Sequence, residues 1–505
     1  MATLPEQANL VVVGGGVGGA IIAGRIAGET GRSVVLLEAG PDYGARAANA
    51  WPERLLNYAA MPVDTHSWAY ISASKYGTRQ LPLDRARVIG GCSSHNGCAA
   101  VWGHRADYDG WAALGNPGWE ADALEPIFER ATERMRVFQP RRDEITPWHR
   151  ACLEAAPGAG IPDIPTLNDL DADNGIAVIA INVAEGVRWN TAFAYLDPVR
   201  DRANLTIVAD AMVDRVLIDN GRATGVVAVI EGVEQRILAG QVVVCGGAYG
   251  TPLVLLRSGI GPAAELAEFG IPVVADLPGV GRNLQDHPAT RVVLQASPEL
   301  DRAMNEFVAA GGSPREEGTT VLARSSVCQT AFDLHLYPIG HRNADGSWLY
   351  AVYIAVMNPR SVGSVRLSGR DPEALPIIDH GYFTDPQDLD LTVLVDGIRL
   401  ARELTGQAQI ASLTGAEIEP LRTGDELHEY VRTNSFHDYH PVGSCKMGPA
   451  SDPTAVVDAH GAVHGIAGLF IGDASIMPTV PRANTNLPAA VVGEKIADLL
   501  IAGFT

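Results

Sequence analysis

The sequence predicts a mixed α/β fold in which a parallel sheet with helices is interrupted by an inserted unit of antiparallel strands and helices. Three observations carry this prediction. A strand, glycine turn, helix and second strand open the chain between Leu10 and Leu37. Alternating apolar and polar stretches recur at about 205–246 and 330–370. The tail returns to a buried-type strand and a helix, so the first unit is completed from the far end of the chain.

The elements follow in order. Leu10 to Val13 is a short apolar run fit for a strand buried on both faces. Gly14 to Gly19 turns tightly, Ala20 to Ala27 has helical character closed by Gly31, and Ser33 to Leu37 is a second buried strand. Residues 41–86, rich in Pro, Gly, Asn and aromatics, read as an irregular flap. Residues 120–155 read as helical. Leu205–Val208, Arg215–Ile218 and Gly225–Ile230 read as short strands with a hairpin turn at Asn220-Gly221. Gln241 to Cys245 is another buried strand, and 330–370 pairs around Asn343 to Gly346. Pro386 to Thr405 reads as a helix capped by Asp385. Leu469–Ile471 and Pro488 to Ile501 close the chain.

Composition narrows the function. With 47% hydrophobic and 19% charged residues, the 505-residue chain can bury a large core and is not disordered. A net charge of −21 repels phosphate backbones and disfavours a nucleic-acid partner. Met1 to Leu10 lacks a basic and apolar leader pattern, and no apolar run is long enough to span a membrane. The six cysteines form no CxxC pair. They read as reduced thiols of a cytoplasmic protein.

Gly14-x-Gly16-x-x-Gly19 lies between the first strand and its helix. Gly14 permits the turn, Gly16 lets the backbone approach a pyrophosphate at the positive helix end, and Gly19 lets helix and strand pack. Glu38, about 20 residues on, stands where a carboxylate binds adenosine ribose hydroxyls. The unit is therefore Rossmann-like and dinucleotide-binding, for FAD or NAD rather than NADP. No G-x-S-x-G elbow and no His/Cys/Asp grouping at metal spacing occurs, so neither a serine hydrolase nor a metal site is expected.

Five further stretches carry a family resemblance: RARVIGGCSSHNGCAAVWGHRADYDGW (Arg85–Trp111), GAYGTPLVLLRSGIG (Gly247–Gly261), GVGRNLQDHP (Gly279–Pro288), YHPVGSCKMG (Tyr439–Gly448) and GDASIMPTVPRANTNL (Gly472–Leu487). In this order they resemble the glucose–methanol–choline (GMC) oxidoreductases. The resemblance implies the GMC fold, with FAD as cofactor. It divides the chain into FAD-binding segments at 1–155 (lid at 41–86), 201–290 and 436–505, and substrate-domain segments at 156–200 and 291–435.

It also implies roles for individual residues. Gly14, Gly16, Val17, Gly18, Gly19, Glu38 and Ala39 would hold the ADP moiety, and Val213 would reach the adenine through its backbone. Val88, Gly91, Ser94, His95, Asn96, Gly97, Cys98 and Ala99 would lie along the flavin. Ala248, Asp473 and Ala474 would meet ribityl and phosphate, and Thr485 and Asn486 the pyrimidine edge. His95 is similar to the histidine that the choline-oxidising branch bonds covalently to the flavin 8α-carbon. His440 and Asn484 match the family's reacting pair. A neutral imidazole can accept an alcohol proton, and an amide can hold the oxygen without titrating. Most of the thirteen histidines are expected at the surface or in structural roles, including His287, while His437 is a candidate for the cavity.

The substrate pocket is expected to include Tyr337, His437, Asp438, Tyr439 and Ala289. The choline-oxidising branch has a glutamate where this chain has Ala289, and a pocket histidine where it has Tyr337. A quaternary cation thus loses its carboxylate partner, leaving only cation–π attraction. The resemblance favours oxidation of a primary alcohol to its aldehyde, with possible onward oxidation to the acid. The candidate substrates are aryl, furanic or amino-sugar hydroxymethyl groups, with choline as the alternative. A flavin-containing hydroxynitrile lyase and a nonenzymatic FAD-binding protein remain as readings of other classes. O2 and other acceptors stay open, as does the oligomeric state.

Overall fold

The computed structural model describes residues 5–503. Residues 1–4 and 504–505, the outermost ends of the first and last expected segments, lie outside the described residues. In chain order the main elements are β1 (Gln7–Val13), α1 (Val17–Glu29), β2 (Val34–Leu37), β3 (Gly175–Val178), β4 (Leu205–Val208), β5 (Ala211–Asp219), β6 (Arg222–Ile230), β7 (Val233–Val244) and α2 (Gly247–Arg257). They continue with β8 (Pro288–Ala296), β9 (Thr319–Ala323), β10 (Leu334–Arg342), β11 (Trp348–Val356), α3 (Leu389–Thr405), β12 (Thr414–Glu419), β13 (Phe436–His437), β14 (Leu469–Ile471) and α4 (Asn486–Ile501).

The first sheet runs β5-β6-β7-β1-β2-β4, with β14 parallel to the end of β7. β7 is antiparallel to β6 and parallel to β1, so one long strand joins a hairpin to the parallel core. The core strands are covered on both faces, which requires apolar residues at consecutive positions. Leu10, Val11, Val12, Val242, Val243 and Val244 are accordingly all buried. The hairpin turn at Asn220-Gly221 is present, with both residues at positive φ as a tight hairpin demands.

The second sheet runs β12-β8-β11-β10-β9-β3, wholly antiparallel, with β13 pairing the start of β8. Strand alternation sorts its side chains. Leu334, Leu336, Val352 and Ile354 pack against helices at Pro147–Ala155, Pro298–Ala309 and α3. Tyr337, Ile339, Ala351 and Ala355 face the other way, toward Cys98, Val101 and Ala483. That second face roofs the site.

Three sequence expectations are corrected. The flap is not irregular throughout: Tyr70–Tyr76 and Arg79–Leu83 form a hairpin, turned at Gly77, which pairs with a strand at Ile377–Asp379. The 120–155 stretch is two helices, Ala121–Arg134 and Pro147–Ala155, because Arg136 adopts a left-handed φ of 50°. Helix α3 starts at Leu389 and not Pro386. Asp388, at φ 53°, precedes it, and the Asp385 carboxylate accepts from Leu389 N at 2.6 Å across that kink. All six cysteines are free, and among the described residues no helix is long and apolar enough to cross a membrane.

Candidate active site

The glycine turn is shaped by contacts that exclude side chains. A Cβ on Gly18 would lie 1.9 Å from Gly472 O, and one on Gly19 1.8 Å from Gly14 O. Gly14 itself has φ 94°. At Gly16 an added Cβ would meet only Gly91 Cα, at 3.8 Å, so a notch stays open over the first turn of α1. Gly16 is the N-cap and offers no side-chain acceptor. The first amides of α1, at Val17 and Gly18, are therefore free for an anion.

Glu38 follows β2, with Oε2 accepting from Gly15 N and Oε1 from Gly40 N, each at 2.8 Å. Each oxygen keeps a lone pair for a ribose hydroxyl. Burial pushes this carboxyl upward while the two amides pull it down. Ala39 O accepts from Arg87 Nε at 3.1 Å, and Val213 O from Arg257 Nη2 at 3.3 Å. The buried loop from Val88 locks onto the turn through Gly90 N and Gly15 O, 2.7 Å apart. Ser94 Oγ donates to Ile89 O, Asn96 Oδ1 accepts from Cys98 N, and Ala99 bridges to Ile181. Ala248 lies in the first turn of α2. Asp473 follows β14. Its Oδ2 accepts from Gly247 N and Thr251 Oγ1 and its Oδ1 from Ser475 N, so the carboxylate is fixed within the protein and Oδ1 keeps one lone pair.

Residues that would face the flavin are left incomplete. Both amide atoms of Asn486 and the Oδ1 of Asn484 are buried without partners, although Thr485 and Asn486 open α4. A pyrimidine edge, with donors and acceptors side by side, would satisfy them. The open notch, the Glu38 carboxylate and these orphaned amides together match the donor set that FAD requires. His95 is buried, and its Nε2 lies 2.7 Å from the Thr65 carbonyl in the lid. Burial lowers its proton affinity, so the ring is neutral.

The two residues expected to react, His440 and Asn484, converge from two loops. His440 Nε2 lies 3.4 Å from Asn484 Nδ2. The Asn484 loop is anchored by Arg482, whose backbone N donates to Asp107 Oδ2 at 2.8 Å and whose guanidinium pairs with the same carboxylate. His440 Nδ1 faces His287 Nδ1 at 3.0 Å and Asp438 Oδ2 at 3.3 Å. His287 thus stands directly behind the His440 imidazole. Burial, reinforced by His440, holds it neutral. Asp286 organises both rings: its Oδ1 accepts from the backbone N of His287 and of His440, each at 2.8 Å. Its Oδ2 accepts from Tyr382 OH at 3.1 Å. Burial pushes Asp286 up to about 6, against the attraction of His440 and Arg85. The sequence marked the QDHP stretch, but nothing local in it told that Asp286 would reach across to His440.

Of the expected pocket residues, Ala289 and Tyr337 lie on the roof face. Tyr337 OH pairs with His335 Nδ1 at 2.8 Å. His437 is turned elsewhere. Its Nε2 meets Pro82 O at 2.6 Å in the lid hairpin, its Nδ1 accepts from Tyr439 N, and its ring stacks on His380. Tyr439 packs on His437 and under Arg85. Neither ring nitrogen of His437 is left for a substrate. Sequence spacing foresaw no metal grouping, yet the fold brings single ligand atoms of His287, Asp438 and His440 within 4.8 Å of one another. One proton shared between the two imidazoles accounts for their closeness without a cation.

Two family models described as GMC oxidoreductase match residues 8–289 and 359–493. Choline oxidase of Arthrobacter globiformis is 35% identical, the alignment covering 98% of this chain and 94% of that protein. The mitochondrial choline dehydrogenase of Homo sapiens is 33% identical, covering 98% and 90%. Pyridoxine 4-oxidase from Mesorbium loti superposes with a TM-score of 0.86 at 25% identity, covering 98% of this chain and 100% of that one. A fungal aryl-alcohol oxidase gives 0.79 at 23% identity, covering 99% of each chain, and shares the fold. With its glycine turn, its orphaned amides and its imidazole–carboxamide pair, the chain belongs to the GMC oxidoreductase family and is an FAD-dependent alcohol oxidoreductase.

Proposed function

We propose that the protein oxidises a primary alcohol, R–CH2OH, to its aldehyde, and that aldehyde hydrate can be oxidised again to the acid. The observation that carries this is the His440 Nε2 edge beside the Asn484 amide, whose Oδ1 has no partner in the protein. When bound, FAD supplies the acceptor for the hydride and its electron pair. The ADP moiety would rest on the α1 amides and Glu38, and the pyrimidine edge on Asn486.

The protein's own groups do the rest. A His440 proton on Nδ1 is shared with His287 and faces Asp438, which leaves Nε2 unprotonated beside Asn484 Nδ2, where it can accept from an alcohol bound between them. Nε2 takes the hydroxyl proton as the C–H bond breaks. Asn484 fixes the oxygen, and its amide can bond either the hydroxyl or the developing alkoxide. Asp286 holds the backbone beneath both imidazoles, so the ring meets the alcohol without reorganising.

We infer a covalent flavin link through His95. A neutral ring that donates from Nε2 to Thr65 keeps the Nδ1 lone pair for a bond to the 8α-carbon; that carbon would lose a proton, and the two electrons released would pass through the flavin to O2 or another acceptor. Acid precipitation should leave the yellow chromophore on the protein, whereas free flavin in the supernatant removes the inference.

Aryl, furanic and amino-sugar hydroxymethyl compounds are the proposed substrates. Choline is the second reading, favoured by the 35% identity to a choline oxidase. Against it stands Ala289, small and buried on the roof where that branch carries a glutamate. Anaerobic mixing with choline, benzyl-type alcohols, hydroxymethylfurfural and amino sugars, followed by air, separates these readings. Bleaching of the flavin by a primary alcohol is expected. Bleaching by secondary alcohols alone overturns the proposal, and cyanohydrin cleavage without bleaching would mark a lyase.

A further inference from the structure

Close to the reacting pair lies a carboxylate that the chemistry above does not use. Glu317 stands just before β9, and its backbone bridges Ile339 of β10. Antiparallel partners point their side chains to the same face, so Glu317 shares the roof face with Ile339 and Tyr337. Its Oε1 lies 4.0 Å from where a Cβ on Gly97 would stand, and position 97 is a bare glycine in the flavin loop. Nothing from that position screens Glu317 from the site.

The carboxylate is unsatisfied. Its Oε2 is buried with no hydrogen-bond partner. Among the described residues no cation pairs with it. Arg315, the cation that acts on it most strongly, gives a donor to the Gly97 carbonyl at 3.3 Å instead. The other charged or titratable groups facing it are Asp438, Glu316, His440 and Tyr337. Asp438 Oδ2 is buried too, but it has His440 Nδ1 at 3.3 Å. A buried carboxylate oxygen without a donor, beside the reacting pair expected here, is costly unless a ligand brings an N–H group to it.

We propose that Glu317 selects the substrate by accepting a hydrogen bond from the protonated amine of an amino-substituted primary alcohol, with Asp438 adding to the negative field. This rests on the primary-alcohol reading above and narrows it. A protonated primary or secondary amine offers both charge and donors. A trimethylammonium group offers charge alone and leaves Glu317 Oε2 unbonded, so this pocket prefers the former. The carboxylate also enters from a different strand than Ala289, so its cation is held in a different place.

The test compares the holoenzyme and its Glu317→Gln variant on a matched pair, 4-(aminomethyl)benzyl alcohol and 4-ethylbenzyl alcohol, at pH 8. The readout is the ratio of the two kcat/KM values, from which any inactive fraction cancels. The wild type should favour the ammonium compound, and the variant's ratio should fall about 10- to 100-fold, the scale of one charge-assisted hydrogen bond. Calorimetric titration with 4-methylbenzylamine, which has no alcohol to oxidise, should show a similar loss of affinity. An unchanged ratio together with unchanged amine affinity overturns the proposal. Glu317-dependent amine binding in a protein whose flavin is bleached by secondary alcohols alone would uphold the recognition and instead defeat the primary-alcohol reading.

Discussion

His440 makes its functional contacts through both ring nitrogens, and its backbone is held independently by Asp286. His440→Ala should therefore keep the flavin absorbance while kcat falls ~10²–10⁴-fold, the range for a positioned acid–base group. Near-normal turnover would refute the assignment. Glu317 makes a second prediction at this scale. Burial, with Asp438 nearby, pushes it up to about 7 from an ordinary 4.5. The folded chain thus binds this proton more tightly than the unfolded chain. Its stabilising effect is complete below the unfolded value and is lost as pH rises toward about 7. Glu317→Gln should accordingly raise Tm relative to wild type more at pH 8 than at pH 5. An equal difference at both pH values would contradict the carboxyl's buried environment.

At the scale of elements, the Rossmann-like unit depends on how α1 meets α4. Glu494 on α4 is fully buried and bonds Arg25 Nη1 at 2.7 Å, Arg130 Nε at 2.9 Å and Tyr195 OH at 2.8 Å. Its removal leaves the buried Arg25 guanidinium with fewer counter-charges. Glu494→Ala should cost about 3–5 kcal/mol, visible as a lower denaturation midpoint. A loss below about 1 kcal/mol would show the cluster to be solvent-screened. Local signals were good here. The glycine spacing and apolar runs revealed β1, α1 and β2, and Asn220-Gly221 revealed its hairpin. They failed where neighbours distant in sequence decide. The lid hairpin lacks clean alternation and is held by Ile378 across from Ser72. The start of α3 is displaced by the strained backbone of Asp388.

The whole molecule is bound by its tail. β14 pairs Val242, Val243 and Val244, and α4 packs on α1. A chain ending at Asn434 exposes that strand edge and the apolar face of α1, so it should be insoluble and flavin-free. Soluble, yellow truncated protein would show that the first unit folds without its return segment. The antiparallel sheet contributes the other half of the site, since one face of β8, β10 and β11 covers the cleft that the tail residues complete.

Local order in the chain was enough to determine the glycine turn and the alternating strands, and the motifs singled out His440 and Asn484 as candidates, which the fold brings within 3.4 Å. Short-range periodicity and backbone sterics are written into neighbouring residues. The partners of those two residues were decided only by the tertiary fold. His287 stands 153 positions before His440, and the Asp286 carboxylate that seats both comes from the same distant strand entrance. Glu317 became conspicuous only once burial removed water from one of its oxygens. Solvation and contact across such separations depend on how the sheets close over one another, and no local pattern encodes that.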